Sequence, residues 1–271
     1  MHILYNPMKI SEVLCKSVLV KSRIYGVDYA VNPYTGCEHN CAYCYAVFMK
    51  KYGDYQEEWG KFVDVKINAP TVLRKQIKRT KKGRVLFSSV TDAYQPVEKH
   101  YEITRKCLQQ FLNTSFYISI LTKSSLVTRD MDILQNLPCE VGVTITTLDS
   151  DVKAVLEPNS SPVPERLEAL RTLHDAGIPT YAFFGPIIPF LSDSQEAITK
   201  MFNVLDDYVR YVIVDKMNLY NSAWKRIQPR LKKWRPELIP QFNSLRSHSY
   251  YEHMLRKRIM KAATVPVEFC F

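Results

Sequence analysis

The stretch Asn32-Pro33-Tyr34-Thr35-Gly36-Cys37-Glu38-His39-Asn40-Cys41-Ala42-Tyr43-Cys44-Tyr45 constrains this chain more than any other, because it gathers three of the seven cysteines. Their Cys-x3-Cys-x2-Cys spacing lets one short loop bring three thiolates to one face of a cluster. Three thiolates leave one iron of a four-iron, four-sulfur cube without a protein ligand. Asn32, Pro33 and Gly36 supply turn chemistry ahead of the first thiolate, and the aromatic residues after it wall a cluster from water. The alternative is a structural zinc site closed by His39 or a distant residue, although such loops usually present their ligands in two pairs and only one group is visible here. Cys15, Cys107, Cys139 and Cys270 are isolated along the chain and are expected to pack as small apolar residues. The odd cysteine count and an N-terminus without secretion-signal character point away from disulfides and toward a reducing cytoplasm.

With 271 residues, 46% of them hydrophobic, the chain is long enough to bury a large core as one barrel-sized domain or as a domain with an appendage. The longest apolar run, Tyr181 to Leu191, is interrupted by Gly185, Pro186 and Pro189, so no membrane span is expected. A formal charge of +10 favours polyanionic partners.

The apolar pattern is that of alternating strands and helices. Asp28 to Tyr34, Arg84 to Val90, Phe116 to Leu121, Glu140 to Thr146, Thr180 to Phe184 and Tyr211 to Val214 read as strands. Helices are expected from Ala42 and over Thr71 to Arg79, Val97 to Leu112, Ser124 to Gln135, Pro164 to Ala176 and Ser194 to Tyr208. Repeated βα order forces right-handed crossovers and a curved parallel sheet. The expectation is an α/β fold, a partial (β/α)6 TIM-like barrel over residues 28–220. A lead-in segment, residues 1–27, carries short apolar groups (Ile3, Leu4, Val13, Leu14, Val18, Leu19, Val20) and is expected to pack against it.

Residues 221–271 form a basic, helical C-terminal extension with eleven Lys and Arg against Glu237, Glu252 and Glu268, so +8 of the net charge is local. Trp224, Trp234, Phe242, Tyr250 and Tyr251 are interleaved with those cations, a mixture suited to gripping phosphates while stacking bases. The same composition describes a solvated helical cap whose aromatics pack on the barrel. Arg74 to Arg84 holds another seven cations and no acid.

In parallel barrels the reactive groups gather where strands end. Here the second strand runs into Thr91-Asp92-Ala93-Tyr94-Gln95-Pro96-Val97-Glu98, the third into Thr122-Lys123-Ser124, and the fourth into Thr144-Ile145-Thr146-Thr147 with Leu156-Glu157-Pro158 beyond. The fifth ends Gly185-Pro186-Ile187-Ile188-Pro189. Together with the cysteine string, these segments from about Val31 to Leu219 resemble the radical S-adenosylmethionine (SAM) superfamily. Within it they are similar to the DNA repair photolyase group, relatives of spore photoproduct lyase. The resemblance implies a partial barrel open on one side. It also implies a [4Fe-4S] cluster on Cys37, Cys41 and Cys44, and SAM bound through its amino and carboxylate groups to the open iron. A low-potential electron donor would drive reductive cleavage of SAM to a 5′-deoxyadenosyl radical that abstracts a substrate hydrogen, the difficult bond chemistry belonging to the cofactor.

Given the resemblance, Lys123 suits the methionine carboxylate and Thr91 and Thr146 suit amino or ribose groups, while Tyr43 and Tyr45 stand where the resemblance implies adenine-side and radical-side contacts. Read alone, Lys123 is a solvated strand-end lysine and the threonines are ordinary β-branched strand residues. Asp92, Glu98 and Glu157 are equally suited to pairing with barrel cations. One position departs from the pattern: spore photoproduct lyases carry a hydrogen-returning cysteine where this chain has Ser89. An O–H bond is much stronger than S–H, so Tyr45 or Tyr94 becomes the candidate catalytic hydrogen donor. The expected function is therefore radical SAM hydrogen abstraction from a nucleic-acid base or lesion, with the basic extension as the contact. A peptide or small-metabolite substrate, or a non-catalytic zinc-containing nucleic-acid-binding protein, are the alternatives.

Overall fold

The computed structural model describes residues 8–219, 221–245 and 250–271. Ile3 and Leu4 of the lead-in and Arg246 of the basic extension lie outside the described residues. The chain forms two compact units, one of Met1–Asn40 with Ala46–Val141 and the other of Cys41–Tyr45 with Gly142–Phe271.

In the first unit, β1 (Lys9–Val13), β2 (Leu19–Lys21), β3 (Tyr29–Val31), β4 (Tyr34–Gly36) and β5 (Phe62–Lys66) precede α1 (Ala69–Ile77). Then follow β6 (Arg84–Phe87), α2 (Glu98–Tyr101), α3 (Ile103–Gln109), β7 (Tyr117–Thr122), α4 (Met131–Leu134) and β8 (Cys139–Thr144), whose last three residues belong to the second unit. The lead-in is more ordered than its sequence pattern implies: β1 pairs in parallel with β5, and β2 pairs antiparallel with β3. The larger sheet runs β2-β3-β6-β7-β8 here, with β3–β6 and β6–β7 parallel.

Four sequence expectations change, each for a local reason. The single strand expected over Asp28 to Tyr34 is two strands in different sheets. It breaks at Asn32-Pro33, where proline has no N–H to give and the Asn32 side chain is engaged elsewhere. The helix expected over Val97 to Leu112 breaks at Glu102, which has φ of +55°. Glu98 is the cause: its carboxylate accepts from the amides of Thr104 (2.9 Å) and Arg105 (3.3 Å) and caps the first turn of α3. The helix expected from Ala42 is a 3-10 run over Tyr45–Tyr52. In place of Ser124 to Gln135 there is a 3-10 run, Ser125–Asp130, whose cap Ser124 accepts from the Leu126 amide, followed by the short α4.

The second unit adds α5 (Ser150–Leu156), α6 (Val163–Asp175), β9 (Thr180–Ile187), α7 (Gln195–Leu205), β10 (Val212–Lys216), α8 (Asn221–Trp234), α9 (Leu238–Leu245), α10 (Tyr250–Ala262) and β11 (Val267–Phe269). Its sheet runs β8-β9-β10-β11, with β9–β10 and β10–β11 parallel. The C-terminal extension is therefore not all helical, because its last residues alternate Val265, Val267, Phe269 and add a strand to the sheet. One core joins Val143, Ala182, Phe184, Val212 and Val214 to α7 and to Leu255 and Ile259 of α10. A second joins Ala42, Val152 and Leu156 to Trp224, Ile227 and Leu231 of α8 and Phe242 of α9. Burying each of these large side chains contributes about 1.5–3 kcal/mol, which explains why so charged a helix as α8 docks at all.

The result is an α/β fold with a mostly parallel central sheet, carrying the expected six βα strands β3, β6, β7, β8, β9 and β10. No helix among the described residues is long and apolar enough to cross a membrane.

Candidate functional site

Gly36 opens the cysteine loop in a conformation only glycine takes easily, with φ of +87°, and a Cβ there would stand 2.2 Å from the Phe62 carbonyl oxygen. Two turns follow. The Asn40 amide reaches the Cys37 carbonyl at 3.4 Å, with Asn40 itself at φ of +52°, and the Cys44 amide reaches the Cys41 carbonyl at 3.2 Å. Each turn thus begins on a cysteine. Cys37 and Cys41 are buried and Cys44 is half-buried.

In the first unit the loop is held by the segment after β6. Thr91 Oγ1 donates to the Gly36 carbonyl at 2.6 Å, and Gln95 Nε2 donates to Thr91 Oγ1 at 3.0 Å. Gln95 Oε1 accepts from the Glu38 amide at 2.8 Å, and the Glu38 carboxylate accepts from the Val97 amide. His39 Nδ1 lies 3.3 Å from Asp92 Oδ2, with both side chains buried. Asp92 also accepts from Thr122 Oγ1 (2.6 Å) and from the amides of Tyr94 and Lys123 (2.9 Å each). Burial alone would raise its pKa, but His39 and these donors prevail and hold the carboxyl well below the usual range. Asp92 therefore ties the ends of β6 and β7 to His39, two residues after Cys37, and fixes the backbone from which the partly exposed Lys123 projects.

Asn32 plays a similar part. Its Oδ1 accepts from the Ser89 and Val90 amides (3.0 and 3.1 Å), and its Nδ2 donates to Ser89 Oγ at 3.1 Å. Neighbouring Ser88 Oγ is buried without a hydrogen-bond partner among the described residues, a polar group that a bound ligand or water would satisfy. Tyr94 is fully buried and donates its hydroxyl to Asp130 at 3.1 Å. Burial, with the Asp130 charge, drives its pKa well up. The carboxylate of Glu98, the end of that strand-end pattern, accepts from Tyr34 and from Arg129.

In the second unit the loop is anchored by the chain after α5. The Ala42 amide donates to the Leu156 carbonyl at 2.8 Å, and Ala42 itself is buried. The Tyr43 hydroxyl donates to Glu157 Oε1, which also accepts from Thr146 Oγ1 at 2.8 Å. Glu157 Oε2 takes Arg166 Nη2 at 2.6 Å, and both side chains are wholly buried. Burial and the Glu157 charge keep Tyr43 protonated far above its ordinary pKa, so it remains a donor. Tyr45 is 59% exposed.

Gln95 and Arg166 escaped sequence reasoning. Arg166 had a legible signal: it occupies the face of α6 shared by Val163, Ala169, Leu170 and Leu173, where a cation requires a buried partner. The pairing of Asp92, Glu98 and Glu157 with protein donors follows expectation. Cys107 and Cys139 are buried as expected, Cys15 is half-buried, and Cys270 is exposed, contrary to expectation, because it lies just past the edge strand β11.

The basic extension divides. Trp224 and Phe242 stack with each other at 5.6 Å and are buried, which removes them from any exposed stacking face. Arg230 donates to the Val155 carbonyl at 2.9 Å and Arg258 to the Asp193 carbonyl at 2.9 Å. Lys225, Lys232, Lys233, Arg235, Lys257 and Lys261 are exposed.

Among the described residues, which include all seven cysteines, no two are joined by a disulfide. Among the described residues no three His, Cys, Asp or Glu side chains converge as a single-ion site, so the fit of a metal group rests on the loop and its donors. Three soft thiols close together in sequence, Cys37 and Cys41 buried at the starts of the two turns and Cys44 half-buried at the end of the second, fit an iron–sulfur group.

The model for the radical SAM superfamily matches residues 31–202. The uncharacterized protein MJ0683 of Methanocaldococcus jannaschii is 41% identical over 201 residues, 73% of this chain and 75% of that one. The uncharacterized protein Rv2578c of Mycobacterium tuberculosis is 29% identical over 273 residues, covering 94% of this chain and 80% of its own. Among solved structures, spore photoproduct lyase complexed with dinucleoside spore photoproduct has a TM-score of 0.69 at 16% identity, covering 96% of this chain and 82% of that one. SuiB of Streptococcus suis bound to S-adenosylmethionine has a TM-score of 0.53 at 12% identity, covering 97% and 50%. The chain belongs to the radical SAM superfamily and is a radical SAM enzyme, using a [4Fe-4S] cluster and SAM on a fold of the partial-barrel type.

Proposed function

We propose that this enzyme abstracts hydrogen from a nucleic-acid substrate, with Cys37, Cys41 and Cys44 holding the cluster. The observation that carries the substrate class is the likeness in fold, over nearly the whole chain, to a lyase bound to a dinucleoside photoproduct, combined with the row of exposed cations on the extension. When bound, the cluster and SAM supply reductive cleavage of the sulfonium and a radical able to take hydrogen. The chain's own residues bind and orient. Lys123 is the fixed cation for the methionine carboxylate, its backbone set by Asp92. Thr91 and Thr146 spend their protons on Gly36 and Glu157 and keep lone pairs for amino or ribose donors. Tyr43 holds the loop through Glu157 and lies on the adenine side. Of the two tyrosines suggested to replace the missing cysteine, Tyr45 is the more exposed, whereas Tyr94 is fully buried with its hydroxyl donated to Asp130.

A second reading, a peptide or small metabolite, draws support from the buried Trp224 and Phe242, which make part of the extension structural. Anaerobic incubation of reconstituted protein with reductant, SAM and undamaged or ultraviolet-irradiated oligonucleotides separates them by the yield of 5′-deoxyadenosine. Stimulation by an oligonucleotide is expected, with no product and no visible cluster absorbance in Cys37→Ala, Cys41→Ala or Cys44→Ala. Absence of any polynucleotide effect, or of binding at low salt, would refute the nucleic-acid substrate and leave the radical chemistry standing. A cluster that survives all three alanine changes would refute the ligand assignment.

A further inference from the structure

The first unit carries a basic face that the extension does not explain. Arg74, Lys75, Lys78, Arg79, Lys81 and Lys82 are all exposed or half-buried, with no acid among residues 74–82. Among the described residues none of the six forms an ion pair, whereas neighbouring Arg84 pairs with Glu140. A helix C-terminus welcomes one or two cations. Six go beyond that, and Arg74 with Lys78, and Lys75 with Arg79, are like charges four apart that repel on a helical surface.

The chain also builds a groove beside them. Gln76 acts as a clamp: its Oε1 accepts from the Val18 and Leu19 amides (2.9 and 3.0 Å), and its Nε2 donates to Ser17 Oγ and the Leu19 carbonyl (2.8 and 2.9 Å). This fastens the lead-in along α1 and leaves a groove of about 480 Å³ lined by Lys16, Val72, Lys75, Gln76, Arg79 and Thr80. Residues 16–25 add Lys21 and Arg23 to Lys16, again without an acid. They lead into the β2–β3 hairpin, closed by the Ser22 amide on the Asp28 carbonyl (2.9 Å) and the Val27 amide on the Ile24 carbonyl (3.2 Å). At its tip Tyr25 is wholly exposed.

We propose that α1, the segment after it and the β2–β3 hairpin form a second nucleic-acid contact, the cations following the phosphates and Tyr25 stacking on a base. An extended row of cations matches the regular charge spacing of a phosphodiester backbone, and an exposed aromatic within it adds a contact that every base accepts. This inference rests on the nucleic-acid reading above, yet it concerns residues that reading does not use.

The test is binding of a fluorescent single-stranded oligonucleotide by the full chain across 50–200 mM salt, by anisotropy. Lys75→Ala, Lys78→Ala and Arg79→Ala combined should flatten the slope of log affinity against log salt by about 2, at about 0.7 for each phosphate no longer neutralised. Combining this variant with Lys232→Ala, Lys233→Ala and Arg235→Ala should reduce the slope further. Tyr25→Ala should weaken binding about fivefold or more with the slope unchanged, because stacking releases no counterions. If the wild type binds and only the extension variant changes the slope, this inference falls and the substrate reading stands. If the wild type does not bind, both fall. If poly-glutamate or anionic vesicles bind with the same dependence on the α1 cations, the face is a general anion surface and the inference is overturned.

Discussion

The buried Glu157–Arg166 pair offers the sharpest test of how the cysteine loop is held. Both side chains are wholly buried; Glu157 serves Arg166 at 2.6 Å on one oxygen, and Thr146 (2.8 Å) and Tyr43 on the other. Glu157→Gln keeps the shape, removes the charge and turns one acceptor into a donor, facing either a guanidinium or two hydroxyls that also donate. Breaking a buried pair from one side costs about 3–5 kcal/mol, since the remaining charge is left uncompensated. Tyr43→Phe removes only one hydrogen bond to a charged acceptor, worth about 1.5–3 kcal/mol. An unfolding entropy of about 2.1 cal/mol/K per residue over 271 residues means that ~4 kcal/mol lowers the thermal midpoint by roughly 7 °C. Urea and thermal unfolding of the metal-free chain measure both variants, which keeps cluster loss out of the transition. Iron per chain after reconstitution reports on the loop itself, and should fall in the order wild type, Tyr43→Phe, Glu157→Gln. A Glu157→Gln variant within about 1 kcal/mol of wild type with full iron content would refute the claim that this pair secures the loop.

Two further outcomes follow from single residues. Lys123→Ala should weaken SAM binding by about 1.5–3 kcal/mol, as for a hydrogen bond to a charged group, with cluster iron intact; unchanged affinity in equilibrium dialysis would return Lys123 to an ordinary strand-end lysine. Asp215 is pushed up to about 6 from an ordinary 3.8, chiefly by burial against the opposing pull of the Lys216 amide and charge. A carboxyl raised in the folded state stabilises fully below its unfolded pKa and loses that contribution as pH rises through about 6. Between pH 5 and 7 the wild type should therefore lose roughly 1 kcal/mol relative to Asp215→Asn in urea unfolding, and parallel pH profiles for the two would contradict the assignment.

Much of the architecture was legible in the chain because its signals are local. Alternating apolar runs with helix-length spacers point to a mostly parallel sheet, and the cysteine spacing by itself places three thiols in one short loop. The strand-end polar residues were legible for the same reason: they follow directly where apolar runs stop. Local pattern failed where a distant group competed for the backbone. Glu98 takes the amides of Thr104 and Arg105 and breaks a helix that periodicity alone continues. The lead-in strand β1 depends on β5, some fifty residues on, so its short apolar pattern carries no strand signal of its own. The aromatics of the extension looked alike in sequence, and only packing separated Trp224 and Phe242, buried against each other, from exposed Tyr250. Composition determines how much charge and aromatic surface a chain carries; which of it faces water is decided by the cores that close over the rest, as α8 does when it buries Ile227 and Leu231 and leaves Lys232 and Lys233 outside.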